Sequence, residues 1–192
     1  STEDIGIFRT LPGVTVLHPS DRNSARSLTV KLLEHRSPSY TRTVRNKTAG
    51  IYSEQEAENL EIGKAVILRE GTDAAIIACG VMVEQALIAA DALSDGGVEV
   101  MVIDMHTIKP LDLNAVLMAS KTGAVVTAED HSVIGGLGSA VAEVLAEMSP
   151  TMMRMVGVRD EFGESGSPTE IMTKMGLTSD EIIRRVNQML TK

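Results

Sequence analysis

Three groups of residues in this chain carry side chains able to move protons or grip anions. Glu129, Asp130 and His131 stand side by side in AVVTAEDHSVIGGLGSAV, where an apolar run ends. A carboxylate beside an imidazole can orient the ring or hold its proton, as general acid–base chemistry requires. Neighbouring strand residues point to opposite faces, so all three meet one ligand only if the chain turns there. We therefore read them as hydrogen-bonded groups of a loop or subunit contact. His106 ends a similar run in VMVIDMHTIKPLD, ahead of Lys109 and Pro110, and a hydrogen-bonded loop histidine accounts for it.

Arg42 and Arg45 in SYTRTVRNK form the second group. A guanidinium offers a planar fork of donors that can hold two oxyanion oxygens at once, which an ammonium cannot do. If a strand continues to Arg45, the odd spacing sends the two side chains to opposite faces, so one of them points into any given cavity. Solvated or ion-paired arginines are the competing account, and residue type alone leaves both open. His18, held extended by Pro19, shows no partner in the sequence.

The third group is IGGLGSAV, glycines between a strand and a helix, which tempts a dinucleotide reading. Counted from Gly136 the pattern is GxGxxV, with Val141 where a third glycine belongs, and no acidic strand end follows at the expected distance. Gly135, Gly136 and Gly138 instead suit a tight turn and close helix packing. The single cysteine, Cys79, sits in AAIIACG and reads as a buried small hydrophobe. There is no disulfide framework and no zinc spacing.

The elements that must position these groups fall into two blocks. EDIGIFRTLPG reads as a helix stopped by Pro12 and Gly13, VTVLHP as a strand, DRNSARSLTVKLLEH as a helix capped by Asp21, and SYTRTV as a strand. Two strands and two helices cannot close a sheet core, so the expectation is that the earlier part of this domain precedes Ser1. Asn46 to Glu61 is polar and acidic without sustained period, as expected of a surface linker. We place the boundary there, giving a first domain at 1–51 and a second at 52–192.

The second block alternates strands KAVILR, DAAIIACG, VEVMVID, AVVTAE and MMRMVGV with helices of ordinary length, several closed by glycine. That alternation predicts an α/β fold: a small three-layer domain with a mostly parallel five-stranded sheet, preceded by the tail of a second α/β domain.

Composition excludes several classes. A 43% hydrophobic content with mean hydropathy +0.08 is that of an ordinary globular chain. A net charge of -8, with no basic run and 2% aromatic residues, argues against nucleic-acid binding. No apolar run reaches the ~20 residues of a membrane helix, and Ser1 to Asp4 is neither basic nor apolar as a signal sequence would be. We expect a cytoplasmic protein with no membrane partner.

EDIGIFRTLPGVTVLHPSD, SPSYTRTVRNK, IGKAVILREGTDAAIIACG, VIDMHTIKPLD, TAEDHSVIGGLGSAVAEVL and FGESGSPTEIMTKMGLT together resemble, in order, the C-terminal part of a transketolase. The similarity is strongest to the split form, in which the C-terminal section is a separate polypeptide. The resemblance implies a thiamine-diphosphate enzyme that moves a two-carbon ketol unit from a ketose phosphate to an aldose phosphate. It also implies a homodimer, an N-terminal section as partner, and thiamine diphosphate with magnesium in the complete enzyme. By that resemblance this chain contains no catalytic, cofactor-binding or metal-binding residue and is inactive alone. The substrate-phosphate arginine aligns, counted from Pro38, with Arg45, and Arg42 is the second candidate. Domain 52–192 resembles the family's third domain, which chiefly serves dimer contacts. Alternatives are the β subunit of a 2-oxo acid dehydrogenase, a deoxyxylulose-phosphate synthase fragment, or a non-catalytic dimerisation module; RTVR and HTIKPLD favour transketolase.

Overall fold

The computed structural model describes residues 1–191. The first block contains α1 (Asp4–Thr10), β1 (Thr15–Leu17), α2 (Arg22–Leu32) and β2 (Ser39–Thr41). Asp21 caps α2 as its type predicts: its side chain accepts from the Ser24 amide while the Ser24 hydroxyl answers the Asp21 amide. The polar segment that follows is not structureless, since α3 (Glu54–Glu58) forms within it behind a Ser53 capping box. Then come β3 (Val66–Arg69), β4 (Ala74–Ala78), α4 (Met82–Asp95), β5 (Val100–Asp104), β6 (Thr107–Lys109), α5 (Leu113–Ser120) and β7 (Ala124–Ser132). The chain closes with α6 (Leu137–Met148), β8 (Met152–Val158), α7 (Pro168–Lys174) and α8 (Ser179–Leu190).

Five strands form one sheet in the order β3-β5-β4-β7-β8, parallel except for β3, which runs antiparallel to β5. Alternation splits its side chains between two cores. Ala74, Ile76 and Ala78 face α4 and α8, while Ala75 and Ile77 face the other way among α5 and α6 residues. All five residues of β4 are buried, as a central parallel strand covered on both faces must be. On α8, Ile182, Val186 and Met189 recur at helical spacing and are the buried face. The fold is thus a three-layer α/β domain.

The first block's strands share a sheet with a strand from the second. In β2-β1-β6, β1 pairs in parallel with β2 and antiparallel with β6. The run Val100 to Asp112, read as a strand followed by a loop, is therefore two strands that belong to different sheets. A third core, of Leu17, Leu28, Tyr52, Ala57 and Leu60, packs the polar connector onto α2 and β1. The two blocks are fastened together by main-chain pairing as well as by side chains.

Candidate functional site

β7 runs on to Ser132, so Glu129, Asp130 and His131 alternate as strand residues must. Glu129 and His131 share one buried face, with Glu129 Oε2 3.6 Å from His131 Nδ1. The Glu129 side chain accepts the amides of Leu137 at 2.7 Å and Gly138 at 2.8 Å, so it caps the start of α6. Gly136 makes room for it: a Cβ there would lie 2.0 Å from Glu129 Oε2. Gly138 likewise admits Met155 Sδ and Thr127 Oγ1, which a Cβ would meet at 2.9 and 3.0 Å. The glycine cluster serves packing, as its spacing suggested. The His131 ring has a partner on both sides, Nδ1 lying 2.7 Å from Ser132 O and Nε2 3.3 Å from the Gly6 amide. Burial alone would push this imidazole down, but Glu129 beside it raises it above its ordinary value.

Asp130 points the other way, into a seam between the blocks. Its Oδ1 lies 2.8 Å from His18 Nε2, and its Oδ2 and main-chain oxygen accept Arg42 Nη2 at 3.1 and 2.9 Å. His18 Nδ1 is 3.1 Å from the Arg42 carbonyl oxygen. Both ring nitrogens thus face oxygens, the Asp130 carboxylate on one side and the Arg42 carbonyl on the other. Burial would raise the Asp130 carboxyl, yet His18 and the Arg42 guanidinium beside it hold it far below the ordinary carboxylate range. Arg42 also approaches Asp4 Oδ2, at 3.7 Å, and that oxygen accepts a hydrogen bond from the Tyr40 hydroxyl. Gly80 lets His18 in: with φ +57, its Cβ would fall 1.8 Å from His18 Nε2. His18, which has no partner legible in the sequence, is thus paired with Asp130. Asp130 is 112 residues away along the chain, beyond any local signal.

β2 stops at Thr41, so Arg45 lies beyond the strand and the alternation argument about its facing does not apply. Arg45 is exposed on the segment 43–48 and, among the described residues, makes no hydrogen bond or ion pair. That segment separates two openings. One is a cleft of about 1250 Å³ lined by Arg45, Lys47, Arg42, Asp130, Glu84 and Met172 among others. The other, about 510 Å³, lies over the start of α2 with Arg22, Arg45 and Lys47 in its wall. Of the two candidate arginines, Arg42 is engaged by a carboxylate, and Arg45 has no polar partner among the described residues.

A second buried group gathers Asp104 with partners that the sequence did not show, and beside it lies His106, a hydrogen-bonded loop histidine as read from the sequence. Asp104, at the end of β5 and fully buried, accepts the hydroxyls of Ser20 and Tyr52, each at 2.8 Å. Burial pushes its carboxyl up to about 6. His106, also buried, bonds Thr107 Oγ1 at 3.0 Å, and burial pushes its imidazole down to about 4. Asp21 Oδ2 accepts the amides of Ile51 and Tyr52 at 2.9 and 3.0 Å, tying the connector to α2.

The resident groups do not fit thiamine diphosphate and magnesium. The α6 amides that could face a diphosphate are taken by Glu129, and among the described residues no three His, Cys, Asp or Glu side chains converge as metal ligands. Among the described residues no helix is long and apolar enough to cross a membrane.

A mostly parallel five-stranded sheet with helices on both faces, tied to a second three-stranded sheet, defines the class as a three-layer α/β domain. Residues 63–182 match the family model described as "Transketolase, C-terminal domain". The chain belongs to that family. It is 47% identical over 190 residues to the 6-deoxy-6-sulfo-D-fructose transketolase subunit SqwH of Clostridium sp. (strain MSTE9), covering 98% of this chain and 58% of that protein. A solved structure described as a split gene transketolase, inactive beta4 tetramer, superposes with TM-score 0.95 at 41% identity, covering 100% of this chain and 62% of that one. The chain is also 38% identical over 177 residues to 1-deoxy-D-xylulose-5-phosphate synthase 1 of Geobacter sulfurreducens, covering 91% of this chain and 28% of that protein. The chain spans 58% and 62% of the first two relatives' lengths.

Proposed function

We propose that this chain is the C-terminal part of a cytoplasmic, thiamine-diphosphate-dependent transketolase that moves a two-carbon ketol unit from a ketose to an aldose. The cofactor and magnesium are held by sequence outside this chain, in an N-terminal partner section, and the assembly is built on a homodimer. Within it, Arg45 grips the terminal oxyanion of the sugar substrate. The observation that carries this reading is the contrast between the two arginines: Arg42 is spent on Asp130, while Arg45 stands exposed and unengaged at the mouth of the cleft. Lys47 beside it adds positive charge in a chain that is acidic overall.

A guanidinium fork suits a sulfonate as well as a phosphate, and one relative's name carries a sulfo-sugar. A second reading, synthesis of deoxyxylulose phosphate, is favoured by the 38% identity to that synthase. The assembled enzyme, given thiamine diphosphate and magnesium, decides between them. Ketol transfer from a ketose phosphate or sulfonate, with no turnover of pyruvate, is the expected result. Turnover of pyruvate with glyceraldehyde phosphate, and none of the ketose, would replace the transketolase reading by the synthase one.

A further inference from the structure

Residue 42 is the last fixed point before the segment that carries Arg45. Its amide donates to Leu17 O at 2.9 Å, its carbonyl accepts from His18, and its guanidinium is held by Asp130. The far end is fixed at Ile51 and Tyr52 by Asp21. Between these clasps, residues 43–50 make no hydrogen bond among the described residues. A segment with so few internal contacts takes its position from its ends.

We infer that Asp130, a residue of the C-terminal domain, is a positioning residue for substrate binding: through His18 and Arg42 it sets where Arg45 meets the substrate's terminal oxyanion. The inference rests on the proposed role of Arg45. It gives the C-terminal domain a direct part in substrate affinity, through an ion pair that crosses between blocks. The geometry is specific to this arrangement. Asp130 engages His18 with one carboxylate oxygen and Arg42 with the other, and His18 in turn holds the Arg42 main chain. One carboxylate therefore restrains both the side chain and, at one remove, the backbone at the root of the segment. With the anion held in ground and transition states alike, loss of this restraint acts on KM and leaves kcat.

The test uses the complete enzyme with thiamine diphosphate and magnesium, and compares a ketose phosphate with a phosphate-free ketol donor, hydroxypyruvate. Asp130→Ala is expected to raise KM for the ketose phosphate about tenfold, with kcat and the hydroxypyruvate KM unchanged. Asp130→Asn, which keeps an acceptor oxygen, is expected to raise it only about threefold, and carries the same test should Asp130→Ala fail to fold. Adding Asp130→Ala to Arg45→Ala is expected to give no further rise, because the first acts through the second. An equal rise for both donors, an additive double variant, or an unchanged phosphate KM in both Asp130 variants while Arg45→Ala raises it would each overturn the positioning role. An unchanged KM in Arg45→Ala itself would overturn the anion-anchor reading, and the positioning role with it.

Discussion

The Glu129 carboxylate occupies the space that a Cβ on Gly136 would fill, 2.0 Å from Oε2. The same carboxylate closes the first turn of α6 by accepting two amides that would otherwise be buried without partners. Gly136→Ala is expected to displace Glu129 and open the cap, at a cost of about 3 kcal/mol, the sum of overpacking and a lost charged hydrogen bond. Urea unfolding of the purified chain measures it. Wild-type stability in Gly136→Ala would show that the carboxylate moves aside without loss.

Asp21 does two things at once, capping α2 through Ser24 and holding Ile51 and Tyr52 of the connector. Asp21→Ala is expected to cost about 3 kcal/mol, more than the ~1 kcal/mol of a cap alone, since two further amides lose a charged acceptor. Burial opposes the charge, but the Tyr52, Ser24 and Ile51 amides and the Ser24 hydroxyl together hold this carboxyl below its ordinary 3.8. A depressed acid contributes stability that is complete above pH 3.8 and lost as pH falls through the folded value. The excess cost of Asp21→Ala, followed by urea unfolding from pH 7 downward, is therefore expected to shrink below pH 3.8.

Asp104 and His106 pull stability in opposite directions over nearly the same pH range. The unfolded chain protonates His106 below its ordinary 6.5, while the folded chain resists until about 4, so stability falls as pH drops across that window. The loss amounts to roughly 3 kcal/mol at 1.36 kcal/mol per unit. Folded Asp104 takes up its proton from about 6, before the unfolded carboxyl does at 3.8, so stability rises as pH drops there. The two offset each other. Asp104→Asn removes the rise and leaves the fall, so its unfolding midpoint is expected to drop between pH 6.5 and 4 more steeply than that of the parent chain. Parallel midpoint curves would show that Asp104 does not titrate in this window.

Element types were legible because each has a local cause. Asp21 as a cap, glycines closing helices and the two-sided apolar run of β4 act within a few residues of themselves. The mismatch of Val141 with a dinucleotide pattern agrees with the close packing that Gly136 and Gly138 allow. What sequence could not carry was partnership at a distance. His18 meets Asp130 112 residues on, Asp104 meets Ser20 84 residues back, and β6 joins β1 in the other block. Each depends on which strands lie side by side, which is set by the whole chain. The end of β2 was missed for a related reason: SYTRTV has strand composition throughout, but the pairing with β1 ends at Thr41, and Arg42 then turns to Asp130.

The kinetic constants of Arg45→Ala in the assembled enzyme, with Arg42→Ala beside it, test the substrate role most directly. Arg45→Ala is expected to raise KM for a ketose phosphate at least about tenfold with kcat retained and the KM for hydroxypyruvate unchanged, as loss of one anion contact common to ground and transition states requires. Turnover lost at unchanged KM would contradict it.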